Sequence, residues 1–159
     1  YRSKDADVEK TAAALARQKA EKLSRQSPKT YIVGVDQMLV CGGQWLDKPV
    51  DMTGAAETLR LLRGKRHELV TSASIVRSGQ EVWCHTECSQ LAMREFSDEY
   101  LASYLTRVGK DVLSSVGAYQ LEGPGIQLFE NIDGDYFSIL GLPLLPLLKF
   151  LRAEGVISV

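Results

Sequence analysis

The stretch TYIVGVDQ, residues 30–37, decides the fold, because a carboxylate directly follows a run of β-branched and aromatic residues. Such a run favours a buried strand, and the polar break at Ser27-Pro28 marks where that strand can begin. Open α/β sheets hold their ligands at the carboxyl ends of their strands. Asp36 is therefore the first candidate for a functional side chain, although an Asp at a strand end more often caps or forms a turn.

The residues before this strand predict an amphipathic helix from Asp7 to about Arg25. Its apolar positions recur at steps of three, four and eight residues and comprise Val8, Ala12, Leu15 and Leu23. Lys19 falls on the same stripe, so we expect its ammonium group to face the protein. On periodicity alone, a lysine extended along the rim of the helix is the competing interpretation.

Strand and helix patterns alternate along the rest of the chain, but turns typical of hairpins recur at Gly42-Gly43 and Ser78-Gly79. Strand patterns also cover residues 117–121, 126–132 and 136–140. We therefore predict the α/β class, with a mixed twisted sheet and flanking helices.

Composition indicates one globular domain without a general affinity for nucleic acid. The chain has 159 residues, 45% of them hydrophobic, which is enough for one core and short for two domains. Nineteen Lys and Arg against twenty Asp and Glu give a net charge of −1, so a nucleic acid polymer is not an expected partner, whereas a mononucleotide is compatible. Apolar stretches such as residues 140–148 are too short to cross a bilayer, and we expect no membrane partner.

The cysteines and the first residue of the chain give two further expectations. The three cysteines lack the paired spacing of a metal site, and their odd number fits a reducing compartment, so the cytoplasm is the expected location. The chain begins at Tyr1 rather than Met and leads directly into a charged helix, so we expect a segment upstream.

Lys48 is a candidate for binding an anion. It precedes Pro49 and follows the hairpin, so its backbone is restricted to extended conformations and its side chain can be aimed reproducibly. The competing interpretation is that Lys48 is simply solvated, as most lysines in loops are.

The two histidines, His67 and His85, are weaker candidates, because the sequence identifies no partner for either.

Short segments in register along the chain resemble the Maf family. They are LARQKA at 15–20, GVDQ at 34–37, DKP at 47–49, GKRHELVTS at 64–72, VGAYQLEG at 116–123 and DGDYFSILGLPL at 133–144. The resemblance covers essentially the whole chain. Members of this family are similar in fold to the inosine-triphosphate pyrophosphatases, which implies a cleft between two lobes.

The resemblance also implies an activity, the hydrolysis of a nucleoside triphosphate to the monophosphate and pyrophosphate with Mg²⁺ or Mn²⁺. By matching motif, Asp36 would bind the metal or activate the attacking water, and Lys19 and Lys48 would contact phosphates. Gln37 and Glu122 would lie near the base. Lysines and a divalent metal suit this chemistry because charge builds on phosphoryl oxygens as pyrophosphate leaves.

The chain departs from the family pattern in two places. The family's first strand and its Ser-rich turn with a phosphate-binding arginine are not located, so we expect residues 1–159 to form a single domain lacking that part of the site. The usual Gly-Lys-Pro is Asp47-Lys48-Pro49 here, and the additional carboxylate would either weaken the lysine's grip on phosphate or add a metal ligand.

Gln37 and Glu122 resemble the branch of the family that acts on 7-methyl-GTP, whereas the branch resembling pyrimidine triphosphatases has Thr and Gln there. Other hypotheses stay open: a dTTP or UTP pyrophosphatase, a non-catalytic regulator of septum formation, and a catalytically impaired remnant. A homodimer is compatible with a domain of this size.

Overall fold

The computed structural model describes residues 7–158 and confirms the α/β class. The helices are α1 (Val8–Ser24), α2 (Met52–Leu62), α3 (Asp98–Val108), α4 (Tyr136–Leu140) and α5 (Leu144–Ala153), with 3₁₀ turns at Gly109–Ser114 and Pro124–Leu128. The strands are β1 (Ile32–Cys41), β2 (Gln44–Leu46), β3 (Arg66–Arg77), β4 (Gln80–Met93) and β5 (Phe129–Asp133). They form one sheet in the order β2-β1-β3-β4-β5, in which β1 pairs with β2, and β4 with β5, antiparallel. No helix between residues 7 and 158 has the length and apolar character needed to cross a membrane.

The described chain forms two compact units. The first consists of Met38–Leu69 and Ser89–Gly134, and the second of residues 7–37, Val70–Cys88 and 135–158.

In the second unit, α1 packs on β1 through small side chains. The buried residues of the helix are Ala12, Ala16, Ala20 and Ser24, spaced four apart. Of the predicted stripe, Ala12 is confirmed as buried, but Leu15 is only partly buried and Leu23 is 51% exposed, so that part of the prediction is wrong. The reason is Gly34: a Cβ there would lie 2.1 Å from the carbonyl oxygen of Ala16, so helix and strand backbones touch and only small side chains fit between them.

Strand β1 does not end at Val35, as the sequence pattern suggested, but continues through Asp36 to Cys41. Asp36 therefore lies in the middle of a strand rather than at its carboxyl end. The strand continues because buried Met38 and Leu39 carry the extended backbone into the hairpin with β2, where Leu39 pairs with Leu46.

Two predicted strands have other conformations. Tyr136–Leu140 is the helix α4, because the Asp135 carboxylate accepts a hydrogen bond from the Ser138 amide at 2.7 Å and caps it. Residues 117–121 form no strand, since Ala118 has a φ of 57°, which an extended backbone cannot accommodate. In the first unit, β5 is shorter than the predicted strand at 126–132 because the 3₁₀ turn occupies its beginning.

Candidate functional site

The centre of the site is an ion pair between α1 and β1. The Lys19 ammonium group donates to Asp36 Oδ1 at 2.7 Å and to the carbonyl oxygen of Val35 at 2.9 Å. The Asp36 side chain is 15% exposed and that of Lys19 is 58% exposed. The carboxylate is thus largely enclosed, while the cation is within reach of a solvent-borne ligand.

The packing of α1 on β1 explains this pair. Side chains two apart on a strand share a face, so Asp36 projects on the same side as Gly34, where the helix approaches. Lys19 directly precedes Ala20, whose amide nitrogen would lie 2.7 Å from a Cβ at Gly34. Lys19 therefore reaches Asp36 from the flank of the helix, and its ammonium group faces the protein, as expected.

Asp36 has one oxygen left for a cation. Lys19 occupies Oδ1, and no residue between 7 and 158 donates a hydrogen bond to Oδ2. Within the same range, no group of three or more His, Cys, Asp or Glu side chains could enclose a metal ion. Mg²⁺ is often held by one or two carboxylates, with substrate phosphates and waters completing its shell. The donor set therefore fits a metal that arrives with a polyphosphate rather than one caged by protein alone.

Gln37 lies beside Asp36 in sequence but projects from the opposite face of β1. Its amide nitrogen donates to Thr71 Oγ1 at 2.9 Å and to the carbonyl oxygens of Ser138 and Ile139 at 3.2 and 3.0 Å. Thr71 also donates to the Ser138 carbonyl oxygen at 2.9 Å. These bonds tie α4 to β1 and β3 next to the catalytic candidate.

The same polar network continues onto β4. The Ser138 hydroxyl donates to Glu87 Oε2 at 2.5 Å, and Glu87 Oε1 lies 3.0 Å from Nε2 of His85. His85 thus has the partner that the sequence did not identify. Residues two apart on a strand share a face, as His85 and Glu87 do on β4, but the link to Ser138 spans 51 positions and leaves no local signal in the sequence.

Lys48 and Glu122 belong to the first unit, and the Lys19–Asp36 pair to the second. Lys48 is exposed in the segment between β2 and α2, and it precedes a buried proline. Glu122 is exposed in a turn closed by the Gly123 amide, which donates to the Gln120 carbonyl oxygen at 3.3 Å. Throughout the described chain, no side chain forms an ion pair with either group.

His67 is the functional candidate that the sequence did not reveal. It is 2% exposed, and its Nε2 lies 2.9 Å from the Tyr119 hydroxyl. Burial lowers the pKa of His67 from 6.5 to about 4 and raises the pKa of Tyr119 well above its usual value. The imidazole is therefore neutral at physiological pH. Its pairing with a residue 52 positions away leaves no local pattern in the sequence.

Comparison with known proteins finds similar sequences. The family model described as Maf-like protein matches residues 2–154. A protein of Granulibacter bethesdensis named nucleoside triphosphate pyrophosphatase is 50% identical over 158 residues, covering 99% of this chain and 80% of its own length. A protein of Rhizobium johnstonii named 7-methyl-GTP pyrophosphatase is 50% identical over 147 residues, covering 92% of this chain and 74% of its own length.

Proposed function

The chain belongs to the Maf family, and from that premise we propose that it hydrolyses a nucleoside triphosphate to the nucleoside monophosphate and pyrophosphate. The observation that carries the proposal is the Lys19–Asp36 pair, in which an exposed ammonium group adjoins an enclosed carboxylate whose second oxygen accepts no hydrogen bond from residues 7–158. The names of relatives about half identical to this chain support the same reaction.

In this reaction a water oxygen bonds to the α-phosphorus, and the bond from that phosphorus to the oxygen bridging to the β-phosphate breaks. Pyrophosphate leaves with that oxygen. Asp36 orients the water or accepts its proton, since a carboxylate can only accept hydrogen bonds. Lys19 neutralises the charge that develops on the phosphoryl oxygens, and its exposed ammonium group can turn from Asp36 to the phosphates.

A divalent cation is part of the proposal. Asp36 would hold it through Oδ2, with phosphate oxygens as further ligands. Bound there, Mg²⁺ or Mn²⁺ would supply charge stabilisation for the phosphoryl oxygens and the leaving group.

Lys48 is proposed as a second phosphate contact, because its ammonium group is exposed and the proline after it restricts its backbone. The prediction that Gln37 lies near the base stays a prediction, and any such contact must use its carbonyl oxygen, since its nitrogen holds α4.

Guanine is the base that Glu122 fits best. Its Watson–Crick edge offers two adjacent donors to a carboxylate, whereas uracil and thymine present two carbonyl oxygens around one N–H. Methylation at N7 gives the guanine base a positive charge, which strengthens its attraction to the Glu122 carboxylate. A relative named 7-methyl-GTP pyrophosphatase, half identical over 147 residues, supports this choice over dTTP or UTP. We also propose a cytoplasmic location, because the cytoplasm contains the nucleoside triphosphates that this reaction would consume.

A panel of nucleotides tests the proposal. Purified protein is incubated with Mg²⁺ or Mn²⁺ and 7-methyl-GTP, GTP, UTP or dTTP, and pyrophosphate is detected directly. The expected result is metal-dependent pyrophosphate release with the highest kcat/KM for 7-methyl-GTP. Orthophosphate as first product, or no turnover of any nucleotide, would overturn the proposal, and the latter result would favour the non-catalytic regulator.

A further inference from the structure

The loop that presents Glu122 is fixed by the side chain of Tyr119, three residues before it. The Tyr119 ring is 6% exposed and packs edge-on against Phe129, with centroids 4.7 Å apart and planes at 79°. Its hydroxyl lies 2.9 Å from His67 Nε2 on β3. Tyr119 therefore joins the loop to the sheet through its ring and its hydroxyl group.

The backbone around Tyr119 has little room to shift. Ala118 adopts a left-handed φ of 57°, and its carbonyl oxygen accepts a hydrogen bond from the Tyr104 hydroxyl at 3.2 Å. A Cβ on Gly117 would lie 2.1 Å from the Tyr119 ring, and one on Gly125 would lie 2.5 Å from the Gln120 carbonyl oxygen. Because both ends of the loop are so closely packed, the position of Tyr119 constrains the backbone that carries Glu122.

A histidine at position 67 is energetically unfavourable in the core. Its Nδ1 is buried and has no hydrogen-bond partner within the part of the chain that the structure describes. In either neutral tautomer one ring nitrogen is left unpaired, and an unpaired buried polar atom destabilises the fold. An apolar side chain of similar size would avoid that penalty, so packing alone does not account for an imidazole here.

We propose that His67 and Tyr119 are positioning residues that set the selectivity for guanine by holding the Glu122 loop in one conformation. Neither side chain touches the nucleotide; the Tyr119 hydroxyl holds the loop, and His67 holds that hydroxyl. The inference rests on the proposed function, in which Glu122 reads the base.

Two variants separate this role from a purely structural one. Tyr119→Phe keeps the ring and removes only the hydroxyl, although it leaves His67 with a second unpaired nitrogen. The double variant His67→Leu with Tyr119→Phe removes both polar groups and so leaves no unpaired buried atom at this contact. Tyr31→Phe is the matched control, because it removes a hydroxyl that donates to Glu154 at 3.0 Å in the other unit.

The experiment measures kcat and KM on 7-methyl-GTP and UTP, together with the melting temperature, for the wild type and these variants. For both test variants we expect the ratio of kcat/KM values for 7-methyl-GTP over UTP to fall by about tenfold, the value of one hydrogen bond. We expect the loss chiefly in KM for 7-methyl-GTP, with an unchanged or higher melting temperature in the double variant. The control should keep the wild-type ratio.

The outcomes are distinguishable. A wild type that releases pyrophosphate and prefers 7-methyl-GTP, with that preference intact in both test variants, overturns this inference alone. A wild type that releases no pyrophosphate overturns the proposed function and this inference with it. A wild type that releases pyrophosphate but prefers UTP overturns the guanine assignment and this inference, and leaves the pyrophosphatase activity standing. Should the double variant fail to fold, Tyr119→Phe still decides, because it retains the ring that packs against Phe129.

Discussion

The ammonium group of Lys19 lies 2.7 Å from the carboxylate of Asp36, although the two residues are 17 positions apart and belong to a helix and a strand. Gly34 makes the contact geometrically accessible, because without a Cβ it lets α1 approach β1 closely. The proposed chemistry thus depends on a glycine that contacts no substrate.

Replacing Gly34 by Ala should separate α1 from β1. The new Cβ would meet backbone atoms of Ala16 and Ala20, which cannot move aside as a flexible side chain can. We expect a loss of about 1–3 kcal/mol in the free energy of unfolding, measured with urea, and a lower kcat/KM. Gly54→Ala in α2 is the control, since its nearest neighbour would be 3.6 Å away; equal stability for the two variants would contradict this account.

Replacing Asp36 by Asn keeps the size of the side chain but removes its charge. Turnover should fall by about two to four orders of magnitude, the scale of acid–base and electrostatic contributions. Stability should change by less than about 1 kcal/mol, because Lys19 is largely exposed. Asp98→Asn, which breaks a 3.0 Å ion pair with Arg63 in the other unit, should leave turnover unchanged. Near-normal turnover in the Asp36 variant would remove Asp36 from the mechanism.

Acid should destabilise the protein through His67. Its pKa falls from 6.5 to about 4 on folding, so between these pH values the unfolded state binds more protons and the native state loses stability as the pH falls. The full effect is about 3 kcal/mol, reached near pH 4. Urea unfolding of the wild type and His67→Leu at pH 7 and pH 4.5 isolates this contribution. Parallel losses in the two proteins would show that His67 is not responsible.

Glu122→Gln should change which base is preferred. Gln presents a donor as well as an acceptor, so the match to the two guanine donors is lost and a pyrimidine edge becomes acceptable. We expect the free energy of discrimination between 7-methyl-GTP and UTP, calculated from the ratio of their kcat/KM values, to fall by roughly 1–3 kcal/mol. Glu130→Gln, an exposed carboxylate on β5, is the matched control. An unchanged ranking in the Glu122 variant would eliminate the guanine assignment.

The sequence predicts several elements of the fold but not the packing between them. The β1–β2 hairpin is confirmed at Gly42-Gly43, whereas the role that the strand pattern and the GVDQ motif give to Asp36 stays a prediction. The buried stripe of α1 was misassigned because periodicity records apolar residues, whereas the observed face is decided by close contact at Gly34.

The local sequence pattern does not predict the conformation of α4 or the contact between His67 and Tyr119, and the reason is physical. Helix α4 is only five residues long, so its apolar pattern cannot be distinguished from that of a strand. The cap that Asp135 forms at its first turn favours the helix. The His67–Tyr119 contact joins residues 52 positions apart, and nothing in either local segment specifies the other. Tertiary packing supplies this information.

The position of the bond that breaks tests the central claim most directly. Hydrolysis of 7-methyl-GTP in ¹⁸O-labelled water with Mg²⁺ is followed by mass spectrometry of both products. Attack of water at the α-phosphorus predicts that the label enters the nucleoside monophosphate and that pyrophosphate stays unlabelled. Label in pyrophosphate or in free orthophosphate would place the attack at another phosphorus and contradict the account.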